Sequence, residues 1–327
     1  MNAKNTVRLG IAFAIMSAIT FGVSGSFAKA LLEAGWTPTA AVTARLAGGA
    51  LVVVLVATIV NRGWLSEAIA HGKTLIVYGV IPVAGVQLCF YNAVSHLSVG
   101  VALLLEYLSP VLVVGWVWAS TRKRPKTSTL VGAALALAGA SIVLNVFSGA
   151  KIEIVGVAWA LGATVCGACY FLLSHRVSAG GEGLDPLTLA AGGLIVGAIT
   201  VALLGVCGVF PMTFTTNDTV VAGHTTSFLV PVVALGLVAT AMAYLFGING
   251  VARLGPSHAS LMGLGEVLCA VTWAWLLVGE EITWAQAVGG GVVLLGLALA
   301  SRSADRTTAQ ATWPEVGVVD GLVVEPG

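Results

Sequence analysis

Charge is what this sequence lacks. Asp, Glu, Lys and Arg make up 9% of its 327 residues, whereas soluble domains carry about 25%. So few charges cannot cover a surface that meets water on every side, which excludes an ordinary soluble domain. A net charge of +1 excludes a nucleic-acid partner or any other strongly charged one. Cysteine is missing from the places a disulfide framework would need it: Cys89, Cys166, Cys169, Cys207 and Cys269 all fall in apolar runs. The "CGAC" at 166–169 has redox spacing but lies inside an apolar helix, where small packing residues are the simpler reading. Gly-x-x-x-x-Gly-Lys-[Ser/Thr], His-Glu-x-x-His and Gly-x-Ser-x-Gly are all absent. No enzyme, cofactor or metal site is therefore expected, and without a P-loop ATP cannot drive the chain directly.

Apolar residues dominate instead, at 58%. A helix needs about 20 of them to cross the hydrocarbon core, and ten segments qualify: 9–31, 39–60, 74–95, 98–119, 128–147, 154–175, 187–209, 228–250, 257–278 and 284–301. Pro38, Pro186, Pro231 and Pro256 mark several starts, where a missing N–H costs least. The basic opening "MNAKNTVRLG" precedes a run too long for a signal peptide, so an uncleaved first span is expected. With the N-terminus in the cytoplasm, twelve Lys and Arg fall on the inner side, Lys29 and Lys151 on the outer side, and Arg45 within a span. That bias predicts both termini inside a cell membrane. From Ser303 onward the chain turns polar and loses helical period, so 302–327 reads as a disordered cytoplasmic tail.

The two halves repeat. Residues 92–139 slid by 157 give twelve identities in 48 positions, among them Asn92/Asn249, Trp116/Trp273, Trp118/Trp275, Gly132/Gly289 and Gly139/Gly296. "GIAFAIMSA" at 10–18 echoes "GVAWALGAT" at 156–164. Five spans per copy is odd, so the second copy runs inverted. The expected fold is an all-α integral membrane protein of ten transmembrane helices, two inverted five-helix repeats at 9–147 and 154–301. Alternating-access transporters use this architecture, with the site near mid-membrane between the halves.

Charged side chains deep in lipid cost about 2.5–3.5 kcal/mol each on insertion scales. Glu106 and Glu266 both lie near the middle of predicted spans, about 12 Å past their helix starts. Helices entering from opposite faces bring both near the midplane. They are not repeat mates, since Glu106 aligns with Gly263 and Glu266 with Ser109. Pro110 has no N–H, so it frees the carbonyl four residues back, that of Glu106 itself. Irregular backbone at this depth survives only packed in protein or lining a wet cavity. A purely structural glutamate is the competing reading. Arg45, about 9 Å below its end of span 2, either pairs with Glu106 for structure alone or in a pair that opens during turnover; both readings stand. Asn92 and Asn249 suit interhelical hydrogen bonds or substrate contact, and Tyr107 suits packing. His258, Met262, Glu266, Cys269 and Trp273 share a helix face, a conceivable proton route. Paired glycines (Gly48 with Gly49, Gly192 with Gly193, Gly289 to Gly291) suit close helix packing. Trp36, Trp64 and Trp284 flank spans as an aromatic belt should.

The ten spans, the inverted duplication, "LLEYLSPVLVVGW" in span 4 and "LGEVLCAVTWAWLLVGEEIT" closing span 9 resemble the EamA-domain transporters of the drug/metabolite transporter superfamily, over residues 9–301. Pro110-Val111, Gly279-Glu280, Gly289 to Gly291 with Gly296, and Arg45 fit that family's pattern. Val267 stands where the second copy would carry proline, and "STRKRPK" where the first would carry Gly-Glu. The resemblance implies movement of amino acids, other small metabolites or drugs, commonly outward. The expectation is an exporter of a small organic solute, proton-coupled through Glu106 or Glu266, since keeping a carboxylate charged in low dielectric is expensive. Glu106, Glu266, Tyr107, Pro110, Asn92, Asn249 and Arg45 are its candidate site. An uncoupled facilitator or exchanger is the alternative. A lipid-handling protein would need polar chemistry facing a lipid-accessible groove, and a scaffold would need no mid-membrane acids.

Overall fold

The computed structural model describes residues 3–122, 124–144, 153–179, 184–254 and 256–308. It is an all-α membrane protein. The first helix, α1 (Ala3–Glu33), is followed by α2 (Pro38–Val60), which starts where Thr37 is extended and Pro38 takes the first helical position. A short α3 (Trp64–Ala70) leads into a long third rod made of α4 (Gly72–Tyr78), a π-helical stretch π1 (Gly79–Gly85) and α5 (Val86–Val94). The fourth rod is broken into α6 (Val99–Glu106) and α7 (Ser109–Thr121). Then come α8 (Thr127–Val143), α9 (Ile154–Ala179) and α10 (Pro186–Val206). Asp185 caps α10 by accepting from Leu187 N at 2.8 Å and Thr188 N at 3.3 Å, which relieves orphan donors of the first turn. A hairpin of β1 (Thr219–Val221) and β2 (His224–Thr226) precedes another composite rod, α11 (Leu229–Val233), π2 (Ala234–Met242) and α12 (Ala243–Leu254). The last helices are α13 (Pro256–Val278) and α14 (Trp284–Thr308). Among the described residues six stretches are long and apolar enough to cross a membrane, and four shorter apolar helices accompany them.

Three differences from the sequence reading have clear causes. The third and eighth rods are not uniform α-helices. Pro82 lies within π1 and cannot complete an α-helical hydrogen bond, while in π2 the Thr240 hydroxyl donates to the Leu235 carbonyl five residues back at 2.8 Å. Slid by 157, as in the sequence repeat, Gly79–Gly85 falls inside Ala234–Met242. Trp36 and Trp64 are buried anchors rather than a belt: Trp36 Nε1 donates to the Thr215 carbonyl at 2.9 Å and its ring meets Phe214 and Phe228, and Trp64 Nε1 donates to Thr58 Oγ1 at 3.0 Å. Trp284 alone of the three is open to the surroundings, at 87%. Finally, α14 runs on to Thr308, past the expected end at 301; residues 309–327 of the expected tail lie outside the described residues.

Packing pairs elements from the two halves of the chain. Helix α1 lies on α13 and α12, α9 on α5, α6 and α7, α2 on α10 and π2, and α8 on α14. The closest crossing is the last. A Cβ added at Gly139 would stand 2.7 Å from the Gly289 carbonyl oxygen, and one at Gly289 2.8 Å from that of Gly139. Only glycine allows backbones this near, and close approach is how helices gain packing energy where lipid removes the hydrophobic drive. Gly48 and Gly236 meet in the same way, at 3.1–3.2 Å.

Candidate functional site

The site begins at the break in the fourth rod. The α-helical run stops at Glu106, Tyr107 and Leu108 form a turn, and Ser109 with Pro110 starts α7. Pro110 has no N–H for the Glu106 carbonyl. The Leu105 carbonyl also changes partners, taking the Leu108 N–H at 3.0 Å, a 3₁₀-type step, and the Thr164 hydroxyl of α9 at 2.8 Å. Irregular backbone at this depth is thus supported by a neighbouring helix, as lipid demands. Glu106 and Tyr107 are half-buried at the break.

Glu266, on α13, reaches the same place. It is also half-buried, and its Oε2 accepts the Tyr107 hydroxyl at 2.6 Å. The two carboxylates lie close enough to feel one another electrostatically. Both sit deep in the protein yet keep some accessible surface. The sequence reading treated Tyr107 as packing; its ring does pack against the core, but its hydroxyl is the direct link between the broken helix and the second acid.

Arg45 is 2% exposed, and among the described residues no carboxylate bonds it. Its Nε donates to Thr240 Oγ1 at 3.0 Å and its Nη2 to the Ala239 carbonyl at 3.2 Å. Its Nη1 donates to Ser24 Oγ, to Gln87 Oε1 at 2.7 Å and to Tyr91 OH at 3.2 Å. The guanidinium also lies 5.7 Å from the centre of the Tyr91 ring, within cation–π range. The pair with Glu106 weighed from the sequence is therefore not formed; among the described residues Lys29 pairs with Glu280. Neutral oxygens can hold the charge because the planar guanidinium offers five donors in a fixed fork, and π2 turns a carbonyl and a hydroxyl toward it. The guanidinium's field still reaches Glu106 and Glu266.

Asn92 and Asn249 each bond back onto their own helix. Asn92 Nδ2 donates to the Leu88 carbonyl at 2.7 Å and Asn249 Nδ2 to the Leu245 carbonyl at 2.8 Å, the same four-residue back-bond in both copies. The polar side chain bonds its own helix because that carbonyl is the nearest acceptor. Cys166 and Cys89 are small packing residues between α9 and α5: a Cβ at Gly85 would stand 3.0 Å from Cys166 Sγ and one at Gly162 3.2 Å from Cys89 Sγ. The side chains of His258 and Met262 lie outside the described residues, and with them the conceivable proton route. Sequence reasoning missed Ser24, Gln87, Tyr91 and Thr240. The signal for two of them was there, since Gln87 and Tyr91 stand four apart on an apolar helix and so share a face.

A bundle of apolar helices that buries two acids and an arginine defines a multi-pass membrane protein. The chain belongs to the EamA-like transporter family, whose sequence pattern it matches twice, over residues 8–145 and 154–302. It is a membrane transporter of small solutes. Curated relatives include the uncharacterized transporter YwfM of Bacillus subtilis (strain 168), 26% identical over 294 residues, covering 88% of this chain and 92% of YwfM. The threonine/homoserine exporter RhtA of Escherichia coli (strain K12) is 27% identical over 298 residues, covering 89% of this chain and 90% of RhtA. A solved protein crystal structure superposes with a TM-score of 0.59 at 18% identity, over 93% of this chain and all of that one, a likeness of fold.

Proposed function

We propose that this protein is a secondary transporter that exports an amino acid or similar small organic solute across the cytoplasmic membrane by proton-coupled alternating access. Ten spans form two inverted five-helix halves, 9–147 and 154–301, with both termini in the cytoplasm. The cross-half pairing of α1 with α13, α9 with α6 and α7, α2 with α10 and α8 with α14 supports this layout, as do two π stretches at equivalent places. The observation that carries the reading is the Tyr107–Glu266 hydrogen bond, which puts two protonatable acids and a helix break at one point between the halves. The protons exchange at Glu106 and Glu266. Arg45 holds spans 1, 2, 3 and 8 in register beside them and supplies positive charge for a solute carboxylate. The solutes for which RhtA is named, threonine and homoserine, are zwitterions that fit a site with an arginine near two acids.

The test is transport of threonine and homoserine by purified protein in proteoliposomes under an imposed pH gradient. Uptake that follows the gradient and is lost in Glu106→Gln and Glu266→Gln supports the reading. Full-rate transport by both variants with unchanged pH dependence overturns proton coupling. Exchange that ignores the gradient establishes the uncoupled exchanger instead.

A further inference from the structure

Away from the acids, one carboxylate joins three helices. Gly279, at φ +70°, turns the chain off the end of α13, and Glu280 folds back with its N–H on the Ala274 carbonyl at 3.2 Å. The left-handed region is open to glycine without strain, so the residue before it fixes where Glu280 points. The Glu280 carboxylate pairs with Lys29 of α1. It also accepts the Val99 N–H, at 3.2 Å to Oε1 and 3.1 Å to Oε2. Val99 is the first residue of α6, so its N–H has no intrahelical acceptor and stands at the positive end of the helix. Glu280 therefore caps a helix that belongs to the other half of the chain. Packing around it is close: a Cβ at Gly25 would stand 2.3 Å from Val99 Cγ1, and one at Gly100 3.2 Å from Val271 Cγ2.

Past the break the neighbours change. Helix α6 packs on both α13 and α9, with α8 and α14 beside it; α7 keeps α9, α8 and α14 but leaves α13. The fourth rod is thus held to α13 on the Lys29 side of the acids and parts from it on the far side. We infer that Glu280 is a positioning residue for transport: its carboxylate clamps α1, α6 and α13 together on the Lys29 face, and this clamp must release for the space around Glu106 and Glu266 to open to that face. The inference rests on the alternating-access reading above, but its test needs no transported solute.

Native Cys269 supplies the readout. It lies on α13 between Glu266 and Glu280, half-buried, with its Cβ 2.8 Å from a Cβ placed at Gly22 of α1. A membrane-impermeant maleimide is applied from the Lys29 face to intact protein in liposomes, and Cys269 labelling is followed by peptide mass spectrometry. Glu280→Gln is expected to raise the Cys269 labelling rate about fivefold or more, a change of the size one lost contact produces in an equilibrium. Glu280→Asp is expected to stay near wild type, and Lys29→Gln to show a smaller rise because the helix cap remains. The exchange Lys29→Glu with Glu280→Lys is expected to label fast, since an ammonium cannot accept the Val99 N–H. Wild-type labelling rates in Glu280→Gln overturn the inference, and so does rescue by the exchange, which would leave only an ion pair. If Glu280→Gln does not fold, wild-type labelling in Lys29→Gln overturns it.

Discussion

The Tyr107 hydroxyl donates to Glu266 Oε2 at 2.6 Å, from a residue that directly follows Glu106. One hydrogen bond therefore ties the second acid to the turn at which the first acid's helix breaks. A change of charge on Glu266 alters that bond and is felt at the turn, and a movement of the turn changes how Glu266 is solvated. Tyr107→Phe keeps the ring packing and removes the hydroxyl that makes the link. A hydrogen bond to an ionisable group contributes about 1.5–3 kcal/mol, so gradient-driven transport in proteoliposomes should fall about tenfold or more, with a loss of stability of the same order. Its pH profile should also move, because Glu266 has lost a donor. A Tyr107→Phe protein with wild-type rate and profile would remove the link from the mechanism.

Arg45 makes the opposite kind of prediction, one about stability. Its fork satisfies Ser24, Gln87, Tyr91, Thr240 and the Ala239 carbonyl at once. Arg45→Ala leaves several of these buried without a partner, at about 1–3 kcal/mol each. The detergent-purified variant should lose at least about 3 kcal/mol of stability, read as a large drop in thermal unfolding temperature. Arg45→Lys keeps the charge but not the fork and should fall between the two. An Arg45→Ala protein as stable as wild type would mean that the cage is not structural.

How much of this could be read from the residues follows from what each residue costs. Glu106, Glu266 and Arg45 were visible because charge in an apolar run is expensive wherever the chain goes. The break was visible because proline lacks an N–H whatever surrounds it. What Arg45 touches was not visible. Its acceptors are neutral Ser, Gln, Tyr and Thr side chains from three other rods, each unremarkable in its own span, and their convergence is a property of helix packing. The π2 stretch left no mark either, since it contains no proline; its geometry goes with Thr240 bonding five residues back. Glu280 was visible only as part of the Gly279-Glu280 step that fits the family's pattern, and only the fold brings the start of α6 to it.

Glu67 gives a pH-dependent prediction outside the spans. It fixes α3 to the start of α10, accepting the Asp185 N–H and the Thr188 hydroxyl at 2.6 Å each and Asn61 Nδ2 at 3.4 Å. Burial opposes its ionisation, but these hydrogen bonds, with His71 nearby, outweigh that and hold the carboxyl below the usual carboxylate range. A lowered folded value means that the contribution is present above the ordinary carboxylate pKa and is lost as pH falls through the folded value. Protection of residues 64–70 against hydrogen exchange, taken relative to the intrinsic rate at each pH, should therefore fall in acid in the wild type and be low at all pH values in Glu67→Ala. Equal protection in both at neutral pH would refute the anchor.

The glycine contacts predict which positions tolerate a methyl group. At Gly139 a Cβ would meet Val293 N at 2.6 Å and the Gly289 carbonyl at 2.7 Å, both backbone atoms that cannot swing aside. Gly139→Ala should cost about 1–3 kcal/mol through overpacking, and Gly289→Ala a similar amount. At Gly115, inside α7, nothing lies within 4 Å of the added atom. Gly115→Ala should be neutral or stabilising by about 0.5–1 kcal/mol from helix propensity alone. Thermal unfolding of the three variants side by side decides the matter, and equal effects would mean that α8 and α14 do not cross as described.

Pro110 is the sharpest case, because stability and function should move in opposite directions. Pro110→Ala restores an N–H four residues past Glu106, so the fourth rod can close a bond that proline forbids. In the first turn of α7 the missing N–H costs little, but in a continuous rod it would cost about 3 kcal/mol, so a variant free to straighten should unfold at a higher temperature. A straightened rod would also draw the Leu105 carbonyl back to its own helix and away from Thr164, whose hydroxyl now supports the break at 2.8 Å. If the break lets the α6 and α7 halves move separately, the more stable protein should transport more slowly. Hydrogen exchange across residues 105–112 should slow in parallel, reporting the new helical bonds directly. A Pro110→Ala protein that is stabilised, protected at 105–112 and still transports at the wild-type rate would show that the break positions Glu106 but does not move.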